Sequence, residues 1–156
     1  MTASTSQMTT GSASVTIARP AAEVFTALSD VTRMGEWSPE NRGGRWLDVD
    51  GPARGARFEG DNEVKIGPLS VKRWTTTSEV TAYDPPSVFE FVTEGHTVWR
   101  FELAESADGV RVTESFSHPA TTGVKRLLYS VLGSRRKAMV AGMERTLAAL
   151  KAALEG

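Results

Sequence analysis

Strict alternation of charged and uncharged residues between positions 57 and 66 constrains the fold more than any other feature of the sequence. The charged members are Arg57, Glu59, Asp61, Glu63 and Lys65, and they alternate with Phe58, Gly60, Asn62, Val64 and Ile66. Successive side chains of a β-strand point to opposite faces of the sheet, so a period of two places all five charges on one face. The run therefore predicts a strand with one solvent-exposed face, as is typical of an antiparallel sheet.

The same alternation recurs through the middle of the chain. In the runs 99–103 and 110–116, apolar residues alternate with charged or hydroxyl-bearing ones. Turn compositions separate the runs, at Asp84-Pro85-Pro86 and Asp108-Gly109. From about residue 44 to residue 117 we predict an antiparallel meander of about six strands, and an alternating segment at residues 14–18 brings the total to seven.

Helical spacing appears on both sides of this meander. Pro20 is expected at the first position of a short helix, and a second short helical segment should end at Ser38-Pro39, because the residue before proline disfavours helical angles. Near the C-terminus, apolar residues at helical spacing predict a short helix over 124–132. A final helix of about twenty residues follows, whose apolar stripe is Met139, Met143, Leu147, Leu150 and Leu154.

The composition narrows the possible functions. The length of 156 residues is typical of a single domain, and the absence of cysteine excludes disulfide bonds. The net charge of -1 gives the chain no overall positive potential that would attract nucleic acid. The polar start predicts a disordered tail over residues 1–12, followed by a single ligand-binding domain over 13–155. Neither a signal peptide nor a membrane span is recognisable, so we expect a cytoplasmic protein. His96 and His118 lack further ligands at metal spacing, and we expect no metal and no cofactor.

Particular residues, taken in order, resemble a known family. They are Pro20-Ala21-Ala22-Glu23-Val24-Phe25, Trp37-Ser38-Pro39-Glu40, Trp74-Thr75-Thr76-Thr77, Tyr83-Asp84-Pro85-Pro86, Trp99-Arg100-Phe101-Glu102-Leu103 and Arg111-Val112-Thr113-Glu114-Ser115-Phe116. The set is similar to the polyketide cyclase/dehydrase branch of the START-like superfamily, and the similarity extends from about residue 13 to residue 154. It implies an α+β helix-grip fold, in which a curved seven-stranded antiparallel sheet wraps a long C-terminal helix, with two short helices after the first strand.

The resemblance also implies a cavity for an apolar small molecule between sheet and helix. Alternation turns one set of side chains toward that helix, and polar groups occur among its aromatic ones. We predict as ligand-binding residues Trp37, Phe58, Asn62, Trp74, Thr76, Ser78, Phe89, Phe91, Trp99, Phe101, Glu114, Phe116, Met139 and Met143. Isolated polar groups are costly in a dry core but are typical of small-molecule sites. Ordinary core packing is the alternative for the aromatic residues and for the two methionines.

Glu114 is the one candidate for acid/base chemistry, because Val112 and Phe116 flank it on the same face of its strand. Burial there would raise its pKa into a range useful for proton transfer. The alternative is a carboxylate that reaches water or pairs with a cation such as Lys72. No set of cyclase catalytic residues can be placed on the sequence residue by residue.

Three functions therefore remain open. The first is binding or carriage of a lipid, polyketide or aromatic metabolite, and the second is a cyclase or dehydratase reaction using Glu114, with Asn62, Thr76 or Ser78 orienting carbonyl groups. The third is contact with a membrane or a protein through the basic segment 125–137, for which a solvated basic surface is the alternative. The sequence leaves the oligomeric state open.

Overall fold

Seven antiparallel strands form one sheet in the computed structural model, which describes residues 8–119 and 135–156, with the backbone alone for Arg135. The strands are β1 (Met8–Ile17), β2 (Asn41–Trp46), β3 (Arg57–Ile66), β4 (Leu69–Asp84), β5 (Val88–Thr93), β6 (Thr97–Ser106) and β7 (Gly109–Pro119). The helices are α1 (Ala21–Leu28), a 3-10 helix (Val31–Glu36) and α2 (Arg135–Glu155). The strand order β1-β7-β6-β5-β4-β3-β2 confirms the predicted α+β fold, with its seven-stranded curved sheet, long C-terminal helix and two short helices after the first strand.

The start of β1 corrects the sequence prediction. Residues 8–12 were expected in a disordered tail, but they pair with β7, from Met8 opposite Pro119 to Ser12 opposite Ser115. Apart from Met8 this part of the strand has only small or polar residues and no apolar alternation, and its pairing with the long β7 holds it in the sheet. The helix predicted over 124–132 lies outside the described residues.

The two short helices follow the predicted positions with one shift. Pro20 is the residue before the first turn of α1 and not its first helical residue, and its carbonyl accepts the backbone N–H of Val24 at 3.2 Å. Asp30 begins the 3-10 helix by accepting the backbone N–H of Thr32 at 3.0 Å. α1 buries Val24, Phe25 and Leu28 against the sheet core.

Helix α2 runs along β1 in the same direction as that strand. Near its start the Arg136 Nε donates to the Thr10 carbonyl at 2.8 Å, and near its end the Arg19 Nε donates to the Leu154 carbonyl at 2.7 Å. A Cβ on Gly11 would lie 2.7 Å from the Phe116 ring and 2.8 Å from Val140 Cγ2. Glycine therefore permits the close approach of α2 to the sheet at this point.

The charged face of β3 is the outer face of the sheet, as the alternation predicts. Arg45 on β2 pairs there with Glu59 and with Asp61, the latter at 3.0 Å.

Within the described ranges no helix is long and apolar enough to cross a bilayer.

Candidate ligand-binding site

The strand registers place every predicted strand residue of the site on the inner face of the sheet. The opposed pairs on that face include Phe58 with Ser78, Asn62 with Trp74, Phe91 with Trp99, Phe89 with Phe101, Phe101 with Glu114, and Trp99 with Phe116. Thr76 faces the same side, opposite Gly60. The face is not uniform, because one part is closely packed and another is half-buried and polar.

The closely packed part is an aromatic cluster beneath α1. Phe89 is fully buried, with ring centroids 5.6 Å from Phe91, 6.5 Å from Phe101 and 6.5 Å from Phe25 of α1. Phe58 joins the cluster at 5.1 Å from Phe91. Such edge-to-face and tilted contacts stabilise a core beyond simple area burial. These side chains belong to the main hydrophobic core and form the closed part of the inner face.

Trp37 also belongs to the main core, although it follows the 3-10 helix and is not on the sheet. Its side chain is 5 % exposed, and the Arg33 guanidinium carbon lies 5.0 Å from the ring centroid. A cation at this distance stabilises the ring through its quadrupole. Packing and this cation–π contact account for Trp37 without a ligand.

The half-buried part of the inner face combines indole rings with polar side chains. Asn62 Nδ2 lies 3.2 Å from Thr76 Oγ1, which can accept its hydrogen bond, and Trp74 carries the Lys72 ammonium 5.1 Å from its ring centroid. Gly60 pairs with Thr76, and a Cβ on Gly60 would lie 2.9 Å from Asn41 Nδ2 and 3.7 Å from Thr76 Oγ1. Asn62, Trp74 and Thr76 are half-buried and are not enclosed in the main core.

The inward hydroxyl of Ser78 is satisfied by a neighbour. Ser78 is 4 % exposed, and its Oγ lies 2.8 Å from Thr93 Oγ1 on the adjacent strand. A buried hydroxyl with a partner loses little on leaving water, whereas one without a partner is costly. Pairing between strands therefore explains part of the inward polarity that the sequence analysis attributed to a cavity.

Glu114 is different, because one oxygen of its carboxyl group, Oε2, is buried without such a partner. The residue is 6 % exposed between Val112 and Phe116, opposite Phe101 on β6 and Ala13 on β1. Its Oε2 makes no hydrogen bond within the described ranges, and the ammonium of Lys72, the cation proposed as its alternative partner, lies instead over the Trp74 ring. Desolvation raises the pKa of the Glu114 carboxyl from 4.5 to about 8, so the neutral acid predominates at neutral pH.

The residues around Glu114 form a second apolar group beside the main core. Trp99 and Phe116 have ring centroids 5.8 Å apart, and the Phe116 ring lies close to both Gly11 and Val140. On α2, Met143 is 2 % exposed whereas Met139 is half-buried. Helix α2 thus supplies the side of the site opposite the sheet.

A polar pocket that the sequence analysis missed lies near the ends of β2 and β3. It has a volume of about 330 Å³ and is lined by Pro39, Glu40, Asn41, Arg42, Glu63, Val64, Lys65 and Arg145. Glu63 was expected on the solvent-exposed face, but it is only 5 % exposed. Its carboxylate pairs with Arg42 at 2.9 Å, Arg73 at 3.5 Å and Lys65 at 3.9 Å.

Two opposing effects determine the acidity of Glu63. Desolvation by itself raises the pKa of the carboxyl, but a hydrogen bond with Ser70 and the charges of Arg42, Arg73 and Lys65 together hold that pKa below its ordinary value. The period-two pattern could not reveal this burial, because the cations come from three strand segments around a β-bulge at Val64/Lys65.

The two histidines meet at one threonine hydroxyl. Thr97 Oγ1 lies 2.7 Å from His96 Nδ1 and 2.8 Å from His118 Nδ1. In the described part of the chain no three His, Cys, Asp or Glu side chains cluster in a way that could hold a metal ion.

Known proteins share this architecture. The chain matches over residues 8–155 the family described as polyketide cyclase / dehydrase and lipid transport. It is similar to the Polyketide_cyc-like protein Cgl2372 from Corynebacterium glutamicum, with 31% identity, coverage of 96% of this chain and 93% of that one, and a TM-score of 0.63. No curated protein sequence matches significantly.

Two more distant structures share the fold alone. The AHSA1-like protein from Aeromonas hydrophila is 18% identical over 95% of this chain and 96% of that one, with a TM-score of 0.66. The di-domain ARO/CYC BexL of the BE-7585A biosynthetic pathway is 18% identical, with a TM-score of 0.71, and the match covers 96% of this chain and 50% of BexL. Together, the match over almost the whole chain and the identity with the C. glutamicum protein show that the chain belongs to the polyketide cyclase/dehydrase and lipid transport family, within the START-like superfamily.

Proposed function

We propose that the protein binds an apolar small molecule between the inner face of the sheet and α2, with a polar group of that molecule against Glu114. The ligand class is a lipid, a polyketide or an aromatic metabolite. The buried Oε2 of Glu114, which has no hydrogen-bond partner within the described ranges, is the observation that carries this proposal. Membership of a family described by cyclisation, dehydration and lipid transport supports it.

The unpaired Oε2 of Glu114 carries an energetic cost in the free protein. A buried polar atom without a hydrogen bond costs on the order of 1–3 kcal/mol. A ligand hydroxyl or carbonyl placed against Glu114 would recover that loss, since the neutral carboxyl both donates and accepts. Phe116 follows Glu114 on the inner face of β7 and Trp99 lies opposite Phe116, so the two rings would provide apolar surface for the rest of the ligand.

The half-buried polar residues suit a second contact with the same ligand. Asn62 and Thr76 use one hydrogen bond on each other, and each side chain retains further hydrogen-bonding capacity. Trp74 is adjacent to Asn62 in the strand register. A ligand with an apolar body and polar groups at two positions would match this arrangement.

Binding of the neutral fluorescent probe N-phenyl-1-naphthylamine tests the proposal. We expect saturable fluorescence enhancement, and we expect Trp99→Ala to weaken probe affinity by about tenfold, because an aromatic contact contributes about 0.5–1.5 kcal/mol beyond area burial and about 1.4 kcal/mol is a factor of ten in affinity. Trp46→Ala is the matched control, since Trp46 packs on Phe58 at the other end of the inner face. Equal affinity for both variants and the native protein, or no saturable binding, would contradict the proposal.

A second candidate function is a cyclase or dehydratase reaction, and the raised pKa of Glu114 specifically favours it. A carboxyl that is neutral at pH 7 can donate a proton to a developing alkoxide or enolate and then take one back. In this reaction Glu114 is the acid/base, while Asn62 and Thr76 orient carbonyl oxygens; the Ser78 hydroxyl is already engaged by Thr93.

Turnover of a model poly-β-keto thioester distinguishes the two candidates. If the protein is an enzyme, Glu114→Gln abolishes turnover and leaves N-phenyl-1-naphthylamine binding within a few-fold of the native affinity. Turnover that is equal in the native protein and the Glu114→Gln variant would eliminate the acid/base role.

A further inference from the structure

Strands β3 and β4 extend beyond both of their neighbours in the sheet. The last β2 pairing with β3 is Asn41 opposite Asn62, and β5 begins to pair with β4 only at Ser78. Residues 64–73 therefore form a two-stranded segment, hereafter the β3–β4 ribbon, in which every residue from Lys65 to Arg73 is exposed to solvent. Its two-residue turn is Gly67-Pro68, with Gly67 at a φ of 59°.

The end of this ribbon is apolar. Ile66 is 70% exposed, Leu69 68% and Val71 54%, and within the described ranges no other large hydrophobic side chain exceeds 47%. Scattered single apolar residues are ordinary on a protein surface, but three at the end of one projecting ribbon form a localised patch.

Cations surround the apolar end. Lys65, Lys72 and Arg73 lie on the ribbon, and Arg42 stands beside it. Glu63 is the one carboxylate that these ion pairs share, so the region is positive although the whole chain carries -1. The Lys72 ammonium and the side chains of Arg73 and Lys65 remain accessible to an anionic surface, the latter two with 64% and 59% of their side-chain area exposed.

We propose that the β3–β4 ribbon inserts its apolar end into the surface of an anionic lipid bilayer, with Lys65, Lys72 and Arg73 against the lipid phosphates. Apolar side chains flanked by Lys and Arg are the combination that binds membrane interfaces, because insertion and attraction to anionic headgroups act together. Pro68 at the end has no backbone N–H to desolvate.

The same features argue against a protein partner or a second copy of this chain. Three side chains provide far less area than the roughly 1,000 Å² that a stable protein interface requires. Lys65 and Lys72 lie one on each strand of the ribbon, and lysines on an edge strand disfavour pairing with a strand of another copy. A bilayer needs no shape complementarity from so small a patch.

Co-sedimentation with vesicles tests the inference independently of the small-molecule proposal. We expect binding to equimolar phosphatidylglycerol and phosphatidylcholine vesicles, little binding to phosphatidylcholine alone, and weaker binding as ionic strength rises. The triple variant Ile66→Ser/Leu69→Ser/Val71→Ser should lose about tenfold or more in partitioning. Lys72→Gln should lose about fivefold, the value of one cation near an anionic surface.

The matched control is Leu47→Ser/Val49→Ser, which removes exposed apolar side chains of 40% and 42% exposure away from the ribbon and should leave partitioning unchanged. Equal partitioning of the ribbon variant and the native protein would overturn the inference, as would absence of native binding. If neutralising Lys125 and Arg126 abolished vesicle binding while the ribbon variant bound as the native protein does, the inference would be overturned and the basic segment 125–137 would be the membrane contact. Self-association that the ribbon variant abolishes, without vesicle binding, would overturn it in favour of a second copy.

Discussion

Replacement of Glu114 by glutamine should remove a specific pH dependence of the stability of the fold. Burial raises the pKa of Glu114 from 4.5 to about 8, so the folded protein retains a proton that the unfolded chain has lost between those values. Stability from this group is therefore fully present below pH 4.5 and is lost as the pH rises toward 8. Glutamine has nearly the same shape and does not titrate.

The magnitude follows from the size of the shift. While only the folded state holds the proton, the free energy of unfolding falls by about 1.4 kcal/mol per pH unit. Between about pH 5 and pH 7 the native protein should therefore lose about 3 kcal/mol that the glutamine variant does not lose. The amide of the variant carries its own cost for unpaired polar atoms, but this cost does not change with pH.

Urea denaturation at a series of pH values measures this difference directly. The quantity to compare is the slope of unfolding free energy against pH, because other titrating groups contribute equally to the native protein and the variant. Glu105→Gln, at an exposed carboxylate on β6, is the matched control and should follow the native slope. Parallel curves for Glu114→Gln and the native protein would refute the burial of an unpaired carboxyl at this position.

Three further changes test other parts of the structure. Gly11→Val should lower the free energy of unfolding, measured by urea denaturation, by about 1–3 kcal/mol, because even a Cβ would lie 2.7 Å from the Phe116 ring. Gly51→Val is the control and should leave that free energy nearly unchanged, since no atom lies within 4 Å of a Cβ there. Equal losses in the two variants would contradict the close approach of α2. Phe89→Ala should cost about 3–5 kcal/mol, and a loss below about 1 kcal/mol would show that the aromatic cluster is not closely packed. The pKa of Glu63 is lowered in the fold, so its stabilisation is lost as the pH falls below 4.5. Glu63→Gln should thus be less stable than the native protein at neutral pH and should lose less on acidification, and an unchanged acid transition would contradict the ion pairs.

The fold could be predicted because its signals are periodic. The alternation at 57–66 arises because successive side chains of a strand point to opposite faces of the sheet, one of which is exposed to solvent. The apolar stripe from Met139 to Leu154 arises because side chains three or four residues apart lie on the same face of a helix. The inner-face residues could be inferred for the same reason, since Phe58, Trp74 and Phe116 keep the parity of their strands. A β-bulge breaks this alternation of inward and outward side chains within a strand. The bulge between Val80 and Ala82 shifts the pairing of β4 with β5 in this way.

Features that depend on neighbouring strands could not be predicted. Ser78 finds Thr93 only because β5 lies beside β4 in one register, and Glu63 is buried only because Arg42 and Arg73 approach from β2 and β4. The pairing of residues 8–12 depends on how far β7 extends, and their own side chains carry no signal of it. The alternation along each strand therefore identified which residues face inward. The hydrogen-bond and ion-pair partners of each polar group could be found only from the order and register of the strands in the sheet.

Glu114 lies buried with its Oε2 unpaired, at the position where we propose that a ligand contacts it. Side-chain carbon-13 NMR of the Glu114 carboxyl, recorded across pH with and without saturating N-phenyl-1-naphthylamine, tests this most directly. We expect a midpoint near pH 8 in the free protein, and a higher midpoint with the apolar probe bound, because exclusion of water disfavours the charged form further. A midpoint near 4.5 that the probe leaves unchanged would contradict it.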